Sequence, residues 1–217
     1  MSLIVQTEAF LLRSVDYSES HRILTFLSPE EGLLSVMVLG AKKSKERGLG
    51  LLDYLKCLHL EIEHSNKSSL PFLKNLKLLE HYPWIEKDYE KTHQALQWCA
   101  LIRQVLQPGL EVKEIYFLLR EALKALQSLP ITGVDLVFLK KLMSLLGYDL
   151  DLTSCKDCDK KGEGTFFFNP SWGALLCQDC ASVEGALRIS KSFSQDFWSL
   201  ENLHLIREEQ LKEVKEL

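Results

Sequence analysis

The amino-acid sequence predicts a multidomain α+β protein: a five-stranded barrel, a helical-bundle domain, and a small four-cysteine ribbon inserted in the helical part. Three observations carry this. Short apolar runs broken by turn residues fill the first 82 positions, as in a small antiparallel β domain. Apolar residues at helical spacing take over from Asp88 to Gly147. Two Cys-x-x-Cys pairs, Cys155-Lys156-Asp157-Cys158 and Cys177-Gln178-Asp179-Cys180, then stand 18 residues apart. The expected division is 1–82 for the barrel, 83–154 for the helical domain, 155–182 for the ribbon and 183–217 for C-terminal helices packing on the helical domain.

Taken in order, residues 6–15 are apolar with one break, Arg13, and Asp16-Tyr17-Ser18-Glu19-Ser20 reads as a turn. A second strand is expected over 21–27. Ser28-Pro29-Glu30-Glu31-Gly32 then makes a tight connection, because proline fixes φ and glycine accepts a positive one. A third strand over 33–39 ends at Gly40. Over 54–63 the pattern alternates: Leu58, Leu60 and Ile62 share one face, His59, Glu61 and Glu63 the other. After a turn at 65–69, residues 72–79 give a fifth strand. Five short strands suit a closed barrel, and the OB-fold is one of the few five-stranded kinds. An open five-stranded sheet packed on the helices is the alternative.

Pro83-Trp84 marks the change of regime. A helix over 88–106 is apolar almost all round in its C-terminal half, which predicts central burial; Pro108-Gly109 stops it. A second, over 111–127, carries one stripe (Val112, Ile115, Tyr116, Leu119, Leu123, Leu126) opposite Lys113, Glu114, Arg120 and Glu121. A third, over 134–146, is apolar except at Lys140 and Lys141, and Gly147 suits a left-handed end. Short helices are expected over 195–200 and 207–214.

The cysteine spacing is that of a four-thiolate zinc site, since each Cys-x-x-Cys turn points two sulfurs at one tetrahedral metal. One structural Zn²⁺ held by Cys155, Cys158, Cys177 and Cys180 is the expectation. Between the pairs, Gly162 and Gly164 suit a turn, Thr165-Phe166-Phe167-Phe168 a strand, and Ala174-Leu175-Leu176 a short return strand. The alternatives are two disulfides, which need an oxidising compartment, or a redox dithiol, which usually stands alone. No further His, Asp or Glu is placed to open a catalytic position, and the deaminase pattern is absent. Cys57 and Cys99 read as core thiols.

A chain with 46% hydrophobic and 26% charged residues is composed like an ordinary soluble protein. The N-terminus lacks a basic-then-apolar leader and no run reaches membrane-span length, so a cytoplasmic location is expected. Net charge of −4 gives no global hint of nucleic acid, which must therefore bind a local patch. Phosphate loops, Gly-x-Gly-x-x-Gly and His-Glu-x-x-His are missing and the histidines are scattered, so no enzyme activity is expected. Lys42-Lys43-Ser44-Lys45-Glu46-Arg47 packs four cations and one anion between two strands. Such a segment can follow a phosphate backbone while Tyr17, Phe26 or Tyr54 stack with bases, although residues of these types are more often core. A merely solvated loop is the plainer alternative. Arg13 and Arg22, in otherwise apolar strands, are expected on one barrel face.

The run Ala9-Phe10-Leu11-Leu12-Arg13-Ser14-x-Asp16-Tyr17-Ser18-Glu19-Ser20-x-Arg22-Ile23-Leu24-Thr25-Phe26, then Pro29-Glu30-x-Gly32-Leu33 and Gly40-Ala41-Lys42-Lys43-Ser44-Lys45, resembles the RecO family of bacterial recombination mediators. Leu145-Leu146-Gly147-Tyr148-Asp149-Leu150 ahead of Cys155-x-x-Cys158, then Phe168, Gly173 and Cys177-x-x-Cys180, resembles it independently. The resemblance implies an OB-fold, a helical domain and a zinc-binding lobe. It further implies binding of single- and double-stranded DNA, annealing of complementary strands, and recombinase loading onto strands coated by single-stranded-DNA-binding protein. Its implied partners are RecR, in some cases RecF, and the acidic C-terminal tail of single-stranded-DNA-binding protein, for which Lys140, Lys141 and Arg120 are the cations on offer. Carried over by position, the DNA contacts are Arg13, Arg22, Lys42, Lys43, Lys45 and Arg47, and the metal ligands are the four cysteines. The competing reading is a zinc-stabilised protein–protein scaffold with incidental DNA contact.

Overall fold

The computed structural model describes residues 3–41, 52–64, 69–108, 110, 112–148, 154–161, 165–169, 174–181 and 187–190. They fall into two compact units, Met1–Gln127 and Ser128–Leu217.

In the first unit, β1 (Leu3–Asp16), β2 (Arg22–Ser28), β3 (Gly32–Val38), β4 (Cys57–His64) and β5 (Phe72–Glu80) close into a barrel of order β1-β2-β3-β5-β4. Closure depends on the length of β1. Its first half pairs antiparallel with β4, from Leu3↔His64 to Phe10↔Cys57, and its second half with β2, from Phe10↔Leu27 to Asp16↔Arg22. A bulge between Leu11 and Arg13 bends the strand where it changes partner. The ring shuts through one parallel pair, Met37↔Phe72, with the Met37 N–H donating to the Pro71 carbonyl at 2.8 Å. The barrel is the closed one, not the open sheet.

Leu58, Leu60 and Ile62 point inward with Ala9, Leu11, Leu24, Phe26, Leu34, Val36, Val38 and Leu76, forming one continuous core. Outward residues on β1 are buried as well. The Phe10 ring lies 5.2 Å from Tyr116 and 6.4 Å from Tyr82, under α1 (Pro83–Glu86) and α3 (Lys113–Ala125). That second covering layer explains why residues 6–15 read as nearly continuous apolar sequence instead of alternating.

The short helix α1 escapes a sequence reading because one turn shows no periodicity. It begins with Pro83 in its first turn, and Trp84 Nε1 donates to the Leu123 carbonyl at 3.1 Å. Helix α2 (Tyr89–Val105) starts at Asp88, whose carboxylate accepts from the N–H groups of Glu90 and Lys91. The all-round burial expected for α2 is corrected: it buries one stripe, Ala95, Trp98, Cys99 and Ile102, and leaves Val105 exposed. The helix touches α1 and β1 and needs only one apolar face for that. Between α2 and α3 the chain lies against the β2–β3 hairpin, bridging Pro108 to Gly32 and Leu33. Gly32 has φ +63°, and a Cβ there would collide with the Leu110 carbonyl. No other residue type fits that approach.

In the second unit, α4 (Ile131–Leu145) starts three residues earlier than the apolar pattern suggests, directly after Pro130. It ends with Gly147 at φ +86°, the Gly147 N–H bonded to the Ser144 carbonyl and that of Tyr148 to Met143, a Schellman motif. Strands β6 (Thr165–Asn169), β7 (Ala174–Cys177) and β8 (Leu187–Ser190) form a sheet of order β7-β6-β8. The third strand lies at the start of the 183–217 segment, ahead of the helices expected there, so the sheet extends beyond the two-stranded ribbon; four residues are too few to show a period. The helices expected over 195–200 and 207–214 lie outside the described residues.

Candidate metal centre and nucleic-acid interface

The four cysteines are built into two matching turns. Cys155 is seated by its N–H to the Lys160 carbonyl and by the Lys156 N–H to the Leu175 carbonyl, which docks the first turn on β7. Asp159, at φ +57°, donates its N–H back to the Cys155 carbonyl. In the second turn, Cys180 and Ala181 both donate to the Cys177 carbonyl. Cys155, Phe166, Leu175, Leu176 and Cys177 form a small core under the sulfurs, and Lys160 reaches Asp179 across the two turns at 3.2 Å.

All four sulfurs lie within 4.8 Å of one another, with Cys158 and Cys177 Sγ 3.6 Å apart. Tetrahedral bonds of about 2.3 Å to one metal set sulfurs about 3.8 Å apart, so the constellation fits a four-thiolate ion. Electrostatics agree. Burial opposes ionisation of Cys155, but N–H groups of Cys177, Asp157 and Cys158 directed at its sulfur outweigh this and bring the thiol down to about 6. Cys180 is pushed up, first by its hydrogen bond with the Cys177 sulfur. One thiolate forms readily and the next resist it, a balance that a divalent cation reverses. Cys57 and Cys99 belong to the first unit; burial pushes them up to about 11 and about 12, as core thiols.

At the barrel, three connections converge. The β4–β5 connection reaches the end of β3 at Met37–Pro71. The β1–β2 turn reaches it too, where His21 Nδ1 accepts the Gly40 N–H at 3.1 Å. The basic segment leaves from there; Lys42, Lys43, Lys45 and Arg47 themselves lie outside the described residues. Arg13 follows the bulge and is exposed. Arg22 Nε donates to Asp16 Oδ1 at 3.0 Å, the arginine half-buried and the aspartate exposed.

One expectation is corrected. Arg13 and Arg22 do not share a face, because the register pairs Arg13 with Thr25 but Arg22 with Asp16, three residues apart along β2 and so on opposite sides of the pleat. Of the three aromatics, Phe26 takes the core alternative, fully buried in the barrel, whereas Tyr17 and Tyr54 are exposed.

Sequence reasoning also missed a polar junction between barrel and α3. Arg120 holds Glu80 in a two-pronged ion pair, with Tyr82 Oη donating to Glu80 at 2.6 Å. Tyr116 Oη lies 3.2 Å from Cys57 Sγ and donates to Glu8 at 3.1 Å. Arg120 therefore serves the fold and is withdrawn from the cations available to a partner. The signal was faint: Glu80 and Arg120 are 40 residues apart.

A closed five-stranded barrel of OB-fold order, backed by helices and followed by a four-thiol ribbon, defines a small class of proteins. The family model "Recombination protein O N terminal" matches residues 1–82, and "Recombination protein O C terminal" matches 86–195. The DNA repair protein RecO of Caldanaerobacter subterraneus subsp. tengcongensis is 31% identical over 179 residues, 81% of this chain and 71% of that protein. The protein of the same name from Desulfatibacillum aliphaticivorans is 28% identical over 183 residues, with the same coverage. The chain belongs to the RecO family.

Proposed function

We propose that this chain is a recombinational DNA repair mediator that binds single- and double-stranded DNA, anneals complementary strands and helps load recombinase onto strands coated by single-stranded-DNA-binding protein. The carrying observation is the convergence of the β1–β2 turn, the β4–β5 connection and the root of the basic segment at one end of the barrel. The loops after the first and fourth strands are those with which OB-folds hold oligonucleotides. Relatives named DNA repair protein RecO support the same reading.

Mechanistically the work is electrostatic. Arg13, Arg22, Lys42, Lys43, Lys45 and Arg47 neutralise phosphates, so that two strands approach with less repulsion and no bond is made or broken. The protein acts as a binder, not an enzyme, in the cytoplasm at the nucleoid. The four cysteines hold one structural Zn²⁺, which fixes the ribbon. RecR is its partner, joined in some cases by RecF. The acidic, apolar-ended tail of single-stranded-DNA-binding protein docks on α4, where Lys140 and Lys141 stand among exposed Leu139, Met143 and Leu145. No helix among the described residues is long and apolar enough to cross a membrane.

Annealing of complementary strands, bare and coated, tests the proposal. The wild-type chain should accelerate both, and the variant with Lys42, Lys43, Lys45 and Arg47 changed to alanine should lose most of the acceleration. A wild-type chain that leaves bare strands annealing at their spontaneous rate contradicts it.

A further inference from the structure

Two strand edges of the barrel lack a full partner, and they are built differently. On one side β1 pairs with β4 from Leu3↔His64 to Phe10↔Cys57, but β2 joins its other side only from Phe10↔Leu27 onward. Residues 3–9 therefore carry a second edge with no strand on it among the described residues. The β2–β3 hairpin covers that edge only as far as Thr7, whose hydroxyl lies 2.7 Å from Ser28 Oγ and donates to Glu30 Oε2 at 2.8 Å. Ahead of Thr7 the strand stands open: Leu3 is 65% and Ile4 53% exposed, Val5 is half-buried and Gln6 exposed.

An open edge is a template for another strand, and proteins block it with lysines and bulges. The edge of β5 toward β3 is blocked. It makes only the Met37↔Phe72 pair, Lys74 and Leu79 are the extra residues of two bulges, and Lys77 is exposed. The Leu76 N–H is taken by Asn75 Oδ1 at 2.9 Å. By contrast, residues 3–6 contain no charge, proline, glycine or bulge. Glu63 and Glu61 of β4 lie across the ladder from Ile4 and Gln6, where lysines would pair with them, yet neither position is lysine.

We propose that residues 3–7 of β1 pair antiparallel with the same residues of a second copy of this chain, about a two-fold axis at Val5. Such a contact demands a patch complementary to itself, and this one is. Opposed residues of an antiparallel pair stand on the same side of the sheet, so a two-fold ladder sets one residue against its own copy. With Val5 against Val5, Ile4 meets Gln6 and Leu3 meets Thr7, all uncharged and on matching faces. Glu8, the first charge, falls outside the ladder, so no like charges oppose one another. Five residues span about 17 Å, and a contact of that size belongs to the weak, concentration-dependent class. The pairing needs no DNA.

Sedimentation of the full chain across a dilution series, under reducing conditions, tests this. The wild-type chain should pass from monomer to dimer as concentration rises. Ile4→Lys/Gln6→Lys opposes like charges twice and should raise the dissociation constant roughly tenfold or more. Both lysines face Glu63 and Glu61 of their own chain, so the monomer tolerates them, and thermal melting checks that each variant is folded. Ile4→Glu/Gln6→Lys opposes unlike charges in this register and should regain the dimer, to lose it again at high salt. A wild-type chain that stays monomeric at every concentration overturns the proposal. So does a dimer that the two lysines leave intact, or one that the glutamate–lysine variant fails to restore.

Discussion

At Glu80 a carboxylate on the last barrel strand meets Arg120 of α3, and the Arg120 hydrogen bonds hold it well below the usual range, at about 2. A depressed carboxylate contributes stability that is present above its unfolded value, near 4.5, and is lost as pH falls through its folded value. Stability from this junction should therefore decline between about pH 4.5 and 2. Glu80→Gln should flatten the curve in that window and cost about 2 kcal/mol at neutral pH, the scale of a charged hydrogen bond. Urea unfolding across the pH range measures both. An unaltered acid limb in the variant would mean that the pair is screened and incidental. Residue-level roles were the least legible from sequence. Arg120 and Phe26 have the composition of binding residues, yet one is committed to Glu80 and the other to the barrel interior. Only tertiary partners separate those roles.

Among the elements, the ribbon was legible because its chemistry is local: two short turns of fixed spacing meet over a few apolar residues. Strand β8 was not, since its ladder with β6 connects Leu187–Ser190 to Thr165–Asn169 and leaves little trace in four residues. The bulge in β1 was equally hidden; it shows only as a register shift and decides where Arg13 points. If the four thiolates hold zinc, metal analysis of the purified chain should find about one ion, by the stoichiometry of such sites. Cys155→Ser and Cys177→Ser should each lose it, with protease cleavage appearing in the ribbon while the barrel still binds DNA. Recovery of a metal-free chain with two disulfides would refute the centre, and loss of DNA binding in a folded variant would give the ribbon a direct role at the DNA.

For the whole molecule, the class was legible because period-two strands, helical stripes and paired cysteines are separate signals in separate segments. Closure of the barrel was legible from the number and length of the strands, but the means of closure was not: a single long strand changes partners and one parallel pair joins β3 to β5. Closure matters for function: it brings to one end the turn after β1, the connection before β5 and the chain leaving β3, which no linear pattern reveals. The claim at the centre is that cations rooted there neutralise DNA phosphates in a protein whose net charge is −4. Single-strand affinity against salt, for the wild-type chain and for the variant with Lys42, Lys43, Lys45 and Arg47 changed to alanine, tests it most directly. The slopes should differ by up to about 2.8, four phosphates at about 0.7 each; coincident slopes would contradict it.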